Sequence, residues 1–385
     1  MKRFAALLAV ALFGCVALSA QQFDITPAPA MVDVEDADGR VTMFDASREF
    51  KLYIAVECED HERLTDAAYA TGLDLKVVKK SAKRDYLNIV IDPSVEHGEG
   101  YILECAEEGI NIKAATAAGV YYGLQSLRQL VEAHPNREWL KCRIEDYPRF
   151  EYRGVLIDIS RHFRTVDFLK RQIDMMARMK MNRLHLHLTD AAGWRLEIES
   201  YPRLTSYAAW RTPHDWKGWW YGDRKFVEEG TEGASGGYLT KAEARELVAY
   251  AADRYITIIP EIEMPGHSDE VLAAYPELKC THAPERQGDL CIGKEATFEM
   301  MQKILDEVIE IFPSEYIHIG GDEAGKGDWK LCEDCQRRMH EEGLESVDEL
   351  QSYMIHRMEE YLNARGRQII GWDEILEGGL APNAT

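Results

Sequence analysis

The spacing of apolar residues along the chain changes once, near residue 148. Before that point, short apolar runs alternate with breakers. The runs at 51–56, 86–91, 101–105 and 110–114 are of β type and are separated by Gly, Asp and Pro. Segment 115–131 places Val120, Leu124, Leu127 and Val131 at helical spacing. This pattern predicts a small α+β domain over 21–148, ended by the punctuation Asp146-Tyr147-Pro148.

After the boundary, strand and helix alternate through 149–385. Apolar runs at 155–159, 183–188, 256–262, 316–319 and 368–371 read as strands. Amphipathic stretches lie between them, for example Phe168, Leu169, Ile173, Met176 and Ala177. Thr240-x-x-Glu243 and Ser346-x-x-Glu349 are capping boxes that open two further helices. Five strands separated by helices predict parallel βα units. Spacing alone leaves a doubly wound sheet and a (β/α)8 TIM barrel open.

The strand ends choose between them. The runs lead directly into Asp158-Ile159-Ser160-Arg161, Thr189-Asp190, Glu263-Met264-Pro265-Gly266-His267, Gly320-Gly321-Asp322-Glu323 and Gly371-Trp372-Asp373-Glu374. Polar residues at many strand ends converge in a barrel, whose site is built from the βα loops. A dinucleotide sheet would show a Gly-rich turn after its first strand, and the chain has no G-x-G-x-x-G. The expected class is therefore α/β, a barrel with about five of its eight strands present. A complete barrel takes ~250 residues. The expectation is a C-terminally truncated product lacking the last three strands.

Composition narrows the partners. The chain is 46% hydrophobic and 29% charged, which suits a globular protein. A net charge of −22 repels phosphate backbones, so nucleic acid is not an expected partner. Lys2 and Arg3 precede the apolar run 4–18, which reads as a signal peptide over 1–20 and implies export to the periplasm or the exterior. Leu12-Phe13-Gly14-Cys15 is an alternative lipid-anchoring site, and no transmembrane segment is expected elsewhere. Setting Cys15 aside leaves an odd number of cysteines, which is no disulfide framework. Cys332-x-x-Cys335 supplies two of the four ligands that zinc needs. His340 and Cys280 would have to be recruited by the fold, so the pair reads as a local disulfide or two free thiols, and no metal is expected.

The sharpest chemical feature is Asp322-Glu323 after a Gly-Gly pair. Neighbouring carboxylates repel, which raises at least one pKa and suits a proton donor near neutral pH. Taken alone, such a pair can also be a solvated surface feature. His267 follows a Met-Pro-Gly turn and reads as a proton relay, a substrate donor or a structural histidine. Arg161 suits sugar hydroxyls or a structural ion pair. Asp190 reads as the hydrogen-bond partner of a relay residue, beside an aromatic wall from Trp194. Trp372 is a sugar platform or core. Asp158, Glu261 and Glu263 read as interior carboxylates that hold Arg161 and its neighbours. His185-x-His187 lies within a strand, which makes a metallohydrolase the weaker reading. The aromatic loop 205–237 reads as a lid, an outer subsite or a local cluster.

Together these motifs resemble glycoside hydrolase family 20, the β-N-acetylhexosaminidases. The resemblance is carried by Arg153-Gly154-Val155, Ser160-Arg161-His162-Phe163, His187-Leu188-Thr189-Asp190 and Gly193-Trp194-Arg195. It continues through 260–267, His318-Ile319-Gly320-Gly321-Asp322-Glu323 and Gly371-Trp372-Asp373-Glu374. It implies a retaining, substrate-assisted reaction that removes terminal β-linked GlcNAc or GalNAc from glycans, without a cofactor. It implies Glu323 as general acid and base, and Asp322 as the group that orients the acetamido arm. Arg161 would hold hydroxyls, Asp190 and His267 would form a relay, and Trp372 would wall the acetamido pocket. Ala191-Ala192 departs from the polar residues of many relatives. The expected parent is an exo-acting enzyme, and the expected truncation makes this chain weakly active or inactive. The alternative is a non-catalytic sugar-binding fragment on the same scaffold.

Overall fold

A computed structural model describes residues 23–385, except 35, 38–39, 56–59, 213 and 283–287. The expected signal peptide, Cys15 and Cys58 lie outside the described residues. The chain forms two units. One comprises Met1–Arg153, Met175–Met181 and Asp253–Tyr255, and the other holds the remainder.

The first unit is built on one mixed sheet. Its strands are β1 (Met31–Val34), β2 (Phe50–Ile54), β3 (Leu75–Val77), β4 (Tyr86–Ile91), β5 (Tyr101–Ala106), β6 (Gly109–Ala114) and β7 (Cys142–Asp146). Their order is β1-β7-β5-β6-β4-β2-β3. Pairing is antiparallel from β1 to β6 and parallel from β6 to β3. Alternation in the strands buries Leu52, Ile54, Leu87, Ile89, Leu103, Ile110 and Ile112. Two helices, α1 (His61–Tyr69) and α2 (Ala117–Ala133), pack on each other, and α2 lies on the sheet. Thr116 caps α2, its Oγ1 accepting the Gly119 N–H at 3.3 Å. Within this sheet, the strands that the pattern missed are edge strands β1 and β3 and the charged β7.

The second unit is a parallel sheet of β8 (Gly154–Asp158), β9 (Arg183–His187), β10 (Thr257–Glu261), β11 (Tyr316–His318) and β12 (Gln368–Ile370). The spatial order equals the chain order, β8-β9-β10-β11-β12. Each strand thus lies beside its predecessor, as in the first part of a (β/α)8 barrel. The edge strands β8 and β12 leave Leu156 43% exposed and, just past β12, Trp372 37% exposed.

Helices α3 (Val166–Arg178), α4 (Lys241–Ala252), α5 (Asp269–Ala274), α6 (Glu295–Ile311), α7 (Glu333–Glu342) and α8 (Val347–Asn363) join the strands. The capping box of α4 is complete. Thr240 Oγ1 accepts the Glu243 N–H at 3.2 Å, and Glu243 Oε2 accepts the Thr240 N–H at 2.8 Å. At α8 the reciprocal bond moves by one residue, because Glu349 Oε2 accepts the Glu345 N–H at 2.7 Å.

Two sequence expectations change here. Trp194 is no aromatic wall: it is fully buried and donates Nε1–H to the Leu196 carbonyl at 2.6 Å. In the 205–237 loop, Trp219 and Phe226 form a core cluster with Ala191 and Ala192, and Tyr207, Trp216 and Trp220 pack against it. The small Ala191-Ala192 pair gives these rings room beneath the segment that follows Asp190. No described helix is long and apolar enough to cross a membrane.

Candidate active site

Polar side chains gather where β8 to β11 end. Asp158 closes β8, and its Oδ1 accepts the N–H groups of Ser160 at 2.9 Å and Arg161 at 3.0 Å. This turn brings Arg161 back, so that its Nη1 donates to Asp158 Oδ2 at 3.0 Å. Its Nη2 pairs with Asp190, which follows β9. Burial opposes the charge on Arg161, but Asp190 and Asp158 outweigh it and raise the pKa.

Asp190 is buried and is surrounded by cations. His187 Nε2 donates to its Oδ2 at 2.9 Å, and His267 Nδ1 lies 3.3 Å from Oδ1. Burial pushes the Asp190 carboxyl up, yet His187, His267 and Arg161 hold it down at about 2. The far side of the His267 ring faces the next loop. Its Nε2 is 3.4 Å from Asp322 Oδ2 and 3.4 Å from Glu323 Oε2. Burial opposes protonation of His267, but Asp190 and Asp322 push its pKa up to about 11. Arg161, Asp190, His267, Asp322 and Glu323 therefore form one connected group. The Glu323 side chain is 73% exposed, while Asp322 Oδ1 is buried without a hydrogen-bond partner among the described residues.

A second network lies beneath. Glu261, fully buried at the end of β10, accepts His185 Nε2–H at 2.8 Å and Trp372 Nε1–H at 3.0 Å. His187 Nδ1 bonds the same Oε2 as His185, and His318 Nδ1 is 3.1 Å from Oε1. Burial raises its pKa, but the three histidines outweigh burial and hold the carboxyl ionised. His187 thus bridges two carboxylates with both ring nitrogens donating. Although burial opposes the charge, these bonds raise its pKa to about 10. Trp372 joins the site through Glu261.

Glu261 and Glu263 do not hold Arg161 by contact, contrary to expectation; Asp158 and Asp190 do. Nor is Glu263 ion-paired among the described residues. Burial and the neighbouring Glu261 and Asp322 push its pKa well above the usual carboxylate range. Glu263 Oε2, and both oxygens of buried Glu270, have no hydrogen-bond partner among the described residues. Burial likewise raises Glu270 strongly. An unpaired buried carboxylate is expensive, so burial favours the protonated form of both.

Sequence reasoning missed the backbone clamp below the loops. Arg195 is buried and has no carboxylate partner among the described residues. It donates to the Ser160 carbonyl at 2.6 and 3.0 Å, to Ala209 at 2.6 Å and to Gly237 at 3.0 Å. Burial, with Arg211 nearby, pushes its pKa down to about 9. Arg211 donates to the carbonyls of Ala192 at 2.7 Å and Arg161 at 2.6 Å. The available signal was Gly193-Trp194-Arg195, an arginine inside an otherwise apolar stretch.

The cysteine expectation also needs revision. Cys332 and Cys335 are free thiols, like every described cysteine. They are joined by Cys280 and Cys291 and not by His340, and the four sulfurs gather within 4.8 Å of one another.

Comparison with known proteins accounts for both units. Residues 150–385 match the glycosyl hydrolase family 20 catalytic domain, and residues 22–147 match domain 2 of that family. A beta-hexosaminidase from Porphyromonas gingivalis is 44% identical over 303 residues, covering 74% of this chain and 37% of the relative. A beta-N-acetylhexosaminidase structure from Bacteroides fragilis aligns with a TM-score of 0.79 at 32% identity, over 94% of this chain and 69% of that one. An exo beta-N-acetylglucosaminidase from Vibrio harveyi, solved with N-acetylglucosamine, aligns with a TM-score of 0.80 at 29% identity, over 94% of this chain and 57% of that one. The chain thus spans less than half the length of the Porphyromonas relative. Its two matched domains and the fold they share with these structures show that the chain belongs to glycoside hydrolase family 20.

Proposed function

We propose that the protein is an exo-acting, retaining β-N-acetylhexosaminidase. It removes terminal β-linked GlcNAc or GalNAc from glycans. The observation that carries this reading is the pairing of two unlike neighbours. Asp322 has one oxygen buried without a partner among the described residues, while Glu323 stands exposed, and one histidine faces both. Sequence neighbours held this way suit a reaction in which neither carboxylate is the nucleophile.

The acetamido carbonyl oxygen of the substrate attacks the anomeric carbon. Glu323 protonates the departing glycosidic oxygen as that bond breaks, leaving a cyclic oxazolinium ion. The Asp322 carboxylate accepts the acetamido N–H and offsets the positive charge that develops on the ring. Glu323, now ionised, takes a proton from water, which attacks the same carbon and reopens the ring with net retention. His267, cationic and anchored by Asp190, holds both carboxylates in place. Arg161 has guanidinium N–H groups to spare for sugar hydroxyls, and the exposed face of Trp372 walls the acetamido group. The basic-apolar opening over 1–20 supports export, which suits a substrate on extracellular glycans.

The test is turnover of a chromogenic aryl β-GlcNAc beside the matching β-glucoside. We expect the GlcNAc compound alone to be cleaved, and a thiazoline mimic of the cyclic intermediate to inhibit. Glu323→Gln should lower kcat/KM by about 10²- to 10⁴-fold. Equal turnover of the glucoside, which has no acetamido group, would refute the mechanism.

A further inference from the structure

The four cysteines gathered behind the catalytic loops are not used by the reaction proposed above. Cys332 immediately precedes α7, and Cys335 lies in its first turn. Cys280 and Cys291 belong to the segment between α5 and α6. All four are buried and unoxidised. Cys291 Sγ lies 3.6 Å from Cys332 Sγ and 3.6 Å from Cys335 Sγ, and Cys280 Sγ lies 3.8 Å from Cys335 Sγ.

These separations fit one arrangement. A tetrahedron of thiolates at a metal–sulfur distance of about 2.3 Å has sulfur–sulfur edges of about 3.8 Å. Disulfides would divide the sulfurs into two pairs about 2.05 Å apart. Cys291 is instead equidistant from two partners. Donors to sulfur complete the shell. Thr281 Oγ1 donates to Cys332 Sγ at 3.3 Å, and the Gly293 N–H hydrogen-bonds to Cys291. Gly293 also allows the two segments to touch, since a Cβ there would lie 2.2 Å from the Asp334 carbonyl carbon and 2.3 Å from the Cys335 nitrogen.

We propose that Cys280, Cys291, Cys332 and Cys335 form a structural tetrathiolate zinc site. Four soft sulfur donors in a tetrahedron select zinc or iron. Four protein ligands with no open position make a structural site, and a hydrolytic protein has no use for a redox metal there. The ion cross-links the segment after β10, which carries His267, to the segment after β11, which carries Asp322 and Glu323. It thereby stabilises the two loops that meet at the His267 ring.

The test is elemental analysis of the untagged protein after dialysis against metal-free buffer. We expect about one zinc per chain, released when a mercurial blocks the thiols. Cobalt exchange should give a thiolate-to-cobalt charge-transfer band and the intense visible bands of a tetrahedral site. Cys291→Ser or Cys332→Ser should abolish stoichiometric zinc, while Cys105→Ser, outside the cluster, should retain it. The zinc content and cobalt spectrum of the unaltered protein decide the matter even if the variants fail to fold. Metal-free protein with two disulfides, or with four freely alkylated thiols, would overturn the proposal. So would stoichiometric iron with a red tetrathiolate spectrum. None of these readouts depends on the proposed hexosaminidase activity.

Discussion

A Cβ atom at Gly320 would lie 1.8 Å from Glu263 Oε2, and the residue sits at φ +68°. Both facts exclude a side chain there. The left-handed backbone turns the chain out of β11 so that Asp322 and Glu323 reach His267. The missing side chain leaves room for the carboxyl of Glu263. Gly320→Ala is therefore expected to cost roughly 1–3 kcal/mol in backbone strain alone, with displacement of Glu263 added. Chemical denaturation should show the loss, and activity should fall further than stability because the Asp322-Glu323 turn moves. A variant as stable and active as the parent would contradict this account. The sequence showed the Gly-Gly pair but not its reason, since Glu263 is distant in the chain and meets Gly320 only when β10 and β11 pair.

At the scale of elements, the loops after β8 and β9 are held by buried arginines that grip backbone carbonyls. Arg195 satisfies acceptors at Ser160, Ala209 and Gly237, which belong to three separate segments. Removing it takes away the side-chain donor to the buried Ser160 and Gly237 carbonyls, at about 1–3 kcal/mol each, while Ala209 keeps the Gly237 N–H at 3.3 Å. Arg195→Met is thus expected to destabilise the protein by about 3 kcal/mol or more in denaturant titrations. Arg195→Lys should recover only part of this, because an ammonium lacks the planar fork. A near-neutral Arg195→Met would show that the clamp is dispensable. The strand ends themselves were legible, because an apolar run followed at once by Asp, His or Glu is a local event. The clamp was not, because its partners are backbone atoms with no signature in composition.

At the scale of the whole molecule, the buried titrating groups set a pH preference. Burial pushes Asp269 up to about 6 from 3.8. The surrounding carboxylates, outweighing burial, raise His187 to about 10 and His267 to about 11 from 6.5. Each binds its proton more tightly when folded, so its contribution is complete below the ordinary value and is lost as pH rises to the raised one. Asp190, held at about 2, works in the opposite sense, and its contribution is lost as pH falls from 3.8 through that value. The melting temperature is thus expected to peak near pH 4, where Asp190 is ionised and Asp269 still keeps its proton, and to decline from there towards pH 10–11. His267→Gln should flatten the decline above pH 6.5. A melting temperature that climbs from pH 6 to pH 10 would contradict the assignment.

Hydrophobic periodicity was enough to separate an α+β segment from parallel βα units, because each element announces itself within a few residues. The same local reading singled out Asp322, Glu323, His267, Asp190, Arg161 and Trp372, since functional groups in this fold follow their strands directly. What it did not contain was neighbourhood. Only the packed sheet makes Glu261 the shared acceptor of His185, His187 and Trp372. Only packing places Trp194 in the core and gathers four sulfurs from two distant segments into one cluster. Patterning acts along the chain, over the reach of a turn of helix or a pleat. Charge pairing, proton affinity and metal coordination act across space, and distances across space are set when the strands find their register.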